Sequence, residues 1–153
     1  MMNGNGNGRR DGRLTNSEEP GKEVDDLAHA VIGAALEVHR LLGPGFAEAV
    51  YEQALCMELE MRGIPFASQP VITIEYKGRV VGVCRLDLLV GDALIVELKS
   101  VDALSSVHRA QVLSYLKATH HKLGLLINFN VLVLKSGIHR VSLTGRSRNG
   151  LSS

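Results

Sequence analysis

The chain has 153 residues, of which 45% are hydrophobic and 22% charged, which is typical of one soluble globular domain with its own core. Seventeen Lys and Arg against sixteen Asp and Glu give a formal net charge of +1. This balance excludes a strongly basic protein that coats nucleic acid, so any such contact must come from a local patch. No signal-peptide pattern and no apolar run of roughly 20 residues is present, and we predict a cytoplasmic protein with no membrane partner.

Three segments differ in composition. Residues 1–22 have almost no apolar side chains, so we predict a disordered N-terminal arm. Residues 144–153 have a similar composition and are predicted to form a flexible C-terminal tail. Residues 23–143 are predicted to form one domain. Its two cysteines, Cys56 and Cys84, lack the CxxC spacing of a metal or redox site, and we expect buried, reduced thiols.

Two helices are predicted at the start of this domain. Apolar residues recur at steps of three and four from Val24 to Val38, and Gly43-Pro44 follows as a stop signal. A second helix is predicted from Phe46 to Arg62, with Gly63 as its cap. Both helices are expected to pack on one sheet.

The remaining elements are predicted to be mostly strands. An antiparallel meander is expected, followed by a helix from about Ser105 to Thr119, a buried strand and a last hairpin. The predicted strands are Val71–Tyr76, Val80–Val90, Leu94–Leu98, Leu123–Phe129, Val131–Lys135 and Ile138–Leu143. The resulting order, ααβββαβββ, indicates an α/β sandwich.

Charged residues interrupt two of the apolar strands of the meander. Asp87 lies in one strand, and Glu97 and Lys99 lie in the next, where alternation puts the latter two side chains on one face. A two-residue loop between the strands would place Asp87 and Glu97 on opposite faces, whereas a three-residue loop, 91–93, would pair them directly. Directly paired Cβ atoms lie about 5 Å apart. We predict the three-residue loop, because two carboxylates buried so close together need a shared cation.

Oxygen ligands of this kind favour Mg²⁺ or Mn²⁺ over zinc. Such a site, with an adjacent lysine, is equipped for phosphodiester hydrolysis. The alternative is that Glu97 and Lys99 lie on the solvent face of a half-exposed strand. Isolated E-x-K sequences are common, so this pattern alone does not decide between a solvent-exposed strand face and a metal site.

Other polar residues are candidates for the same site. Gln111 and Tyr115 are four residues apart on the third helix and share a face. Glu48, on the second helix, offers a third carboxylate. Arg85 would share the face of Asp87 and Glu97 in the predicted register, as a phosphate contact or as an ordinary surface arginine.

In this order, Asp87, Glu97-Leu98-Lys99 and Gln111 with Tyr115 resemble the D…ExK…QxxxY series of the PD-(D/E)XK nuclease superfamily, in its RecB-like branch. The stretch from Gly45 to Tyr51 resembles the signature of the GxxExxY proteins assigned to that superfamily. The similarity runs from about Leu27 to Leu143. One departure is Leu86, which stands where the superfamily's name has proline.

The resemblance implies a restriction-endonuclease-like α/β/α sandwich with a mixed central sheet flanked by helices. It implies that Glu48, Asp87 and Glu97 are catalytic residues and metal ligands, that Lys99 is the catalytic lysine, and that Gln111 and Tyr115 form the accessory motif. Mg²⁺ or Mn²⁺ would be the cofactor.

Two functions follow from this pattern. The first is a metal-dependent nuclease that hydrolyses phosphodiester bonds in DNA. The second is a non-catalytic module that keeps the nuclease fold and binds nucleic acid or assembles with itself. Nucleic acid, with DNA favoured, is the expected partner, and a homo-oligomer or a partner protein is left open.

Overall fold

The structure, a computed structural model, describes residues 20–143. Residues 1–19 of the predicted arm and the whole predicted tail, 144–153, lie outside this range, so both stay predictions, as does the domain boundary. The elements in chain order are α1 (Lys22–Leu42), α2 (Glu48–Met61), β1 (Phe66–Ser68), β2 (Val71–Tyr76), β3 (Arg79–Arg85), β4 (Leu88–Val90), β5 (Leu94–Lys99), α3 (Ser106–Thr119), β6 (Leu123–Asn128), a 3₁₀ helix (Leu134–Gly137) and β7 (Ile138–Ser142).

A five-stranded sheet in the order β1-β4-β5-β6-β7 forms the centre of the molecule. Its β5–β6 pair is parallel and its other pairs are antiparallel, so the sheet is mixed. Helices α1 and α2 cover one face, against Val96 and Leu98 of β5. Helix α3 covers the other face, against Ile95. The predicted α/β/α sandwich is confirmed.

The three predicted helices are present with slightly different ends. Helix α1 begins at Lys22 and ends at Leu42, and α2 begins at Glu48 instead of Phe46. Ser105 is the N-cap of α3, and its side chain and that of His108 form a capping box. None of the helices within residues 20–143 is long and apolar enough to cross a membrane.

The prediction of one strand from Val80 to Val90 is wrong, because the chain bends at Leu86 and Asp87 and divides it into β3 and β4. Strand β1, which was not predicted, pairs with β4, and β2 pairs with β3. The backbone N–H of Gln69 donates to the Asp87 carbonyl at 2.8 Å, and that of Leu86 donates to the Pro70 carbonyl at 3.0 Å. Residues 66–90 therefore form one long hairpin with a bend at Asp87.

The outer part of this hairpin, β2 and β3, is a separate two-stranded sheet, which we call the ribbon. Ile72 of the ribbon packs in the cluster that α3 forms on the central sheet. The predicted meander thus has the right sequence of antiparallel pairs, but its first pair leaves the central sheet and β1 takes the place beside β4.

The predicted strand Val131–Lys135 is also wrong. Strand β7 pairs directly with β6, with Ile127 opposite Ile138, and it occupies the position that a further strand would need. Residues 129–137 only connect the two strands. Leu132 is 89% exposed, and the 3₁₀ helix follows. The observed order is ααβββββαββ.

Candidate active site

The turn between β4 and β5 sets the register of the two predicted carboxylates. Val90 pairs with Leu94 and Leu88 with Val96, so residues 91–93 form the turn and Asp87 falls opposite Glu97. The predicted three-residue loop is confirmed. Gly91 has φ of +57°, a backbone conformation that favours glycine, and an added Cβ there would lie 2.7 Å from the end of the Leu27 side chain, which would have to move.

Asp87 and Glu97 are fixed by reciprocal hydrogen bonds to backbone groups. The Asp87 N–H donates to Glu97 Oε1 at 2.9 Å, and the Leu98 N–H donates to Asp87 Oδ2 at 2.8 Å. At the bend, each carboxylate thus accepts a backbone hydrogen bond that a carbonyl group of the neighbouring strand would accept in a regular ladder. Hydrogen bonds to a charged acceptor are stronger than neutral ones, so both side chains are held in defined positions.

Burial and mutual repulsion act strongly on Glu97, which is 3% exposed. Its pKa is raised to about 8, first by burial and then by the charge of Asp87, and the Asp87 N–H and the Lys99 charge offset only part of this. Near neutral pH Glu97 therefore keeps its proton, and a cation bound at this place would favour the charged form instead.

Lys99 and Glu48 approach this pair from different elements. Lys99 is the last residue of β5 and lies on the same face as Glu97. Glu48 lies in the first turn of α2. Its pKa is raised by burial and then by the charge of Asp87, whereas the charge of Lys99 lowers it. Both residues are thus within electrostatic range of the carboxylate pair.

The turn before Glu48 is held by Tyr51. The buried Tyr51 hydroxyl donates to the Gly43 carbonyl at 2.6 Å and accepts from the Phe46 N–H at 3.1 Å. Its ring stacks on Phe129, with centroids 4.6 Å apart. Tyr51 therefore positions the start of α2, a role that was not predicted from its spacing to Glu48.

Helix α3 brings Tyr115 to the opposite side of the carboxylate pair. The pKa of Tyr115 is raised by burial and then by the charges of Glu97 and Cys84, while a hydrogen bond to Gln111 lowers it. Gln111 and Tyr115 are therefore neighbours, as their spacing predicts, and Tyr115 packs against the cluster that contains Ile95, on the face of β5 that also carries Glu97.

Cys84 of β3 is within electrostatic range of Glu97, and sequence reasoning missed this. Cys56 and Cys84 are both half-buried free thiols, so the prediction that they are buried is wrong. The pKa of Cys84 is raised by burial and then by the Glu97 charge. The bend at Asp87 brings the ribbon back over α3, and nothing in the local sequence indicates that bend.

Arg85 is exposed at the end of β3, opposite Val71. Its predicted position beside Asp87 depended on unbroken alternation along one strand, and the bend between them removes that basis. A role of Arg85 in phosphate contact stays a prediction.

The chemistry of the Asp87–Glu97 pair fits a hard divalent cation, because Mg²⁺ is often held by one or two carboxylates and keeps several waters. Within residues 20–143, no group of three or more His, Cys, Asp or Glu side chains could together hold a metal ion. The structure thus does not gather Glu48, Asp87 and Glu97 into one ligand set. Glu48 as a direct ligand stays a prediction.

Comparison with known families connects this geometry to an enzyme class. The family model of the PD-(D/E)XK nuclease superfamily matches residues 25–141. The chain belongs to this superfamily. Members of the superfamily generally use divalent metal ions, and membership implies nuclease-like phosphodiester chemistry on nucleic acid. The match extends from α1 into β7 and includes every predicted site residue. A search of curated proteins found no match.

Proposed function

We propose that the protein is a Mg²⁺- or Mn²⁺-dependent nuclease of the GxxExxY branch that hydrolyses phosphodiester bonds in DNA. The motif from Gly45 to Tyr51 supports the branch. A cytoplasmic location and assembly with itself or a partner protein stay predictions.

One observation carries the proposal. Asp87 and Glu97 lie opposite each other, are fixed by backbone N–H groups, and hold a proton because Glu97 has a pKa of about 8. Burying two carboxyl groups side by side costs free energy. A purely structural role would not require them, since apolar residues of similar size would pack there without a charge to neutralise.

The roles of the residues follow from their positions. Asp87 and Glu97 would hold the cation, and a bound divalent cation polarises a phosphate oxygen and lowers the pKa of a water molecule. Lys99, on the same face, would bind the phosphate or orient the attacking water. Tyr115 and Gln111 on α3 and Glu48 on α2 flank the pair and would position the substrate.

The test is cleavage of labelled duplex, branched and single-stranded DNA and of RNA, with Mg²⁺ or Mn²⁺. Asp87→Asn and Lys99→Met should each reduce the cleavage rate at least about 100-fold, because each removes a group that acts on the transition state. Asp92→Asn is the matched control for the first variant, since Asp92 is exposed in the turn and asparagine tolerates its φ of +53°. Lys135→Met, at an exposed lysine of the 3₁₀ helix, is the control for the second.

Two results would count against the proposal. One is cleavage that survives both Asp87→Asn and Lys99→Met, which would indicate a contaminating nuclease. The other is a folded wild-type protein that binds nucleic acid and cleaves none of the substrates, which would favour the non-catalytic module.

A further inference from the structure

Charge is divided between the two helical layers of the sandwich. Helices α1 and α2 together carry eight Asp and Glu but only two Lys and Arg. Residues 103–143, which include α3, β6 and β7, contain five Lys and Arg and no Asp or Glu. Not all of these cations lie on the α3 side, because Arg140 pairs with Asp25 of α1 and Lys135 belongs to the 3₁₀ helix that contacts α1. Helix α3 itself carries Arg109 and Lys117 and no acidic residue. A polyanion is attracted to the α3 face.

On the α3 face, a groove of about 560 Å³ lies between the ribbon and α3. Residues 73–75 of β2 form one wall, and the other wall consists of Ser114, Lys117, Ala118 and His120. Lys117 is exposed, and it is not a member of the ion pairs Arg40–Glu37, Arg62–Glu58 and Arg140–Asp25. Lys117 is thus available to an external anion.

The groove begins at the candidate active site. Ser114 precedes Tyr115, which packs against the cluster that contains Leu86, next to Asp87, and Ile95, on the same face of β5 as Glu97. Thr73 follows Ile72, which packs against the same cluster and whose cross-strand partner is Cys84. From Ile72 to Glu75 the strand covers about 10 Å. At 3.4 Å per nucleotide of a stacked strand, this length fits about three nucleotides.

The far end of the groove leads to the tip of the ribbon, which carries an aromatic residue between cations. Tyr76 is 63% exposed, and the Lys77 ammonium lies 5.4 Å from the centre of its ring. Arg79 faces Tyr76 across the turn. An exposed aromatic ring beside cations is the usual platform for stacking a base of single-stranded nucleic acid.

We propose that this groove holds the nucleic-acid strand next to the scissile phosphate, with its backbone along Lys117 and His120 and a base on Tyr76. The proposal rests on the nuclease function proposed above and names where the substrate lies. The hydroxyl groups of Thr73 and Ser114 donate hydrogen bonds to phosphate oxygens. Glu75, the only carboxylate among residues 71–85, repels the phosphates. Replacing Glu75 should therefore strengthen DNA binding, whereas replacing Lys117 should weaken it.

The first experiment measures binding of labelled single-stranded and duplex DNA by fluorescence anisotropy in EDTA, at several KCl concentrations. EDTA prevents metal-dependent cleavage, so the result does not depend on catalysis. Lys117→Gln should raise the Kd roughly threefold or more at moderate salt and reduce the salt slope by about one. Glu75→Gln should lower the Kd. Lys135→Gln and Lys22→Gln, away from the groove, are the matched controls and should change the Kd little.

A second measurement does not depend on any variant. Hydrogen exchange of the wild-type protein with saturating DNA should show protection in residues 72–80 and 112–120 and none in α1. Equal effects of Lys117→Gln and Lys22→Gln, protection confined to α1 and α2, or no DNA binding at all would overturn the proposal. Cleavage with normal binding by Lys117→Gln would refute the groove and leave the nuclease function standing. DNA binding that depends on Lys117, without cleavage by the wild-type protein, would support the groove and refute the nuclease function.

Discussion

At the scale of single residues, Glu97 controls how the stability of the metal-free protein depends on pH. Its pKa of about 8 lies above its usual value of 4.5, so the folded state keeps a proton that the unfolded chain releases in this range. The stabilising effect of this proton is complete below pH 4.5 and is lost as the pH rises towards 8. The expected slope is at most about 1.4 kcal/mol per pH unit.

Replacing Glu97 with glutamine should remove this slope. The glutamine Oε1 can still accept from the Asp87 N–H, and its amide group does not titrate in this pH range. Urea unfolding in EDTA from pH 5 to pH 9 measures the effect, with the exposed Glu60→Gln as the matched control. Parallel pH profiles for wild type and Glu97→Gln would show that the buried carboxyl titrates normally.

At the scale of elements, the turn from Gly43 to Phe46 depends on one hydroxyl group. Tyr51→Phe keeps the ring stacked on Phe129 but removes both hydrogen bonds of that hydroxyl. We expect a loss of about 1–3 kcal/mol in the free energy of unfolding, measured by urea denaturation. Cleavage should also slow, because this turn positions Glu48. Tyr76→Phe, at an exposed tyrosine, is the matched control, and equal stabilities of the two variants would contradict the role of Tyr51.

The same scale shows what sequence patterns can predict. The three-residue turn before β5 was predictable because only an odd loop pairs Asp87 with Glu97, and the cost of burying charge makes that pairing specific. The bend at Asp87 was not predictable, because residues 80–90 contain no proline and no turn pair, and single residues such as Gly82, Arg85 and Asp87 also occur within continuous strands. At the bend, the carboxylates of Asp87 and Glu97 accept hydrogen bonds that backbone carbonyl groups would otherwise accept. This change of acceptor leaves no signal in the local sequence. Strand β1 is only three residues long and was missed for that reason.

At the scale of the whole molecule, hydrophobic periodicity was enough to predict an α/β sandwich, and the resemblance to the superfamily implied its α/β/α layers. The order of Asp87, Glu97, Lys99, Gln111 and Tyr115 along the chain was enough to indicate the family. The division of charge between the layers was less accessible. The acid-free stretch from residue 103 to residue 143 is visible in the sequence, but only the fold shows that its helix α3 lies opposite α1 and α2, while Arg140 pairs with Asp25 of α1.

The bend at Asp87 has an energetic consequence. Asp87 belongs both to the candidate metal pair and to the joint where the ribbon leaves the sheet. A nucleic-acid strand that holds the ribbon on α3 would therefore also restrict the backbone of Asp87. Binding equilibria that share one restricted element are coupled, and the coupling is reciprocal.

DNA should therefore tighten Mn²⁺ binding by the same factor by which Mn²⁺ tightens DNA binding. Calorimetry on the Lys99→Met variant, which keeps both carboxylates, measures both factors without hydrolysis. The factor should be smaller when Lys117→Gln is added, and unchanged affinities would mean that the ribbon and the carboxylate pair act independently. A hairpin that bends at an active-site residue would thus let the substrate help to assemble the site that cuts it.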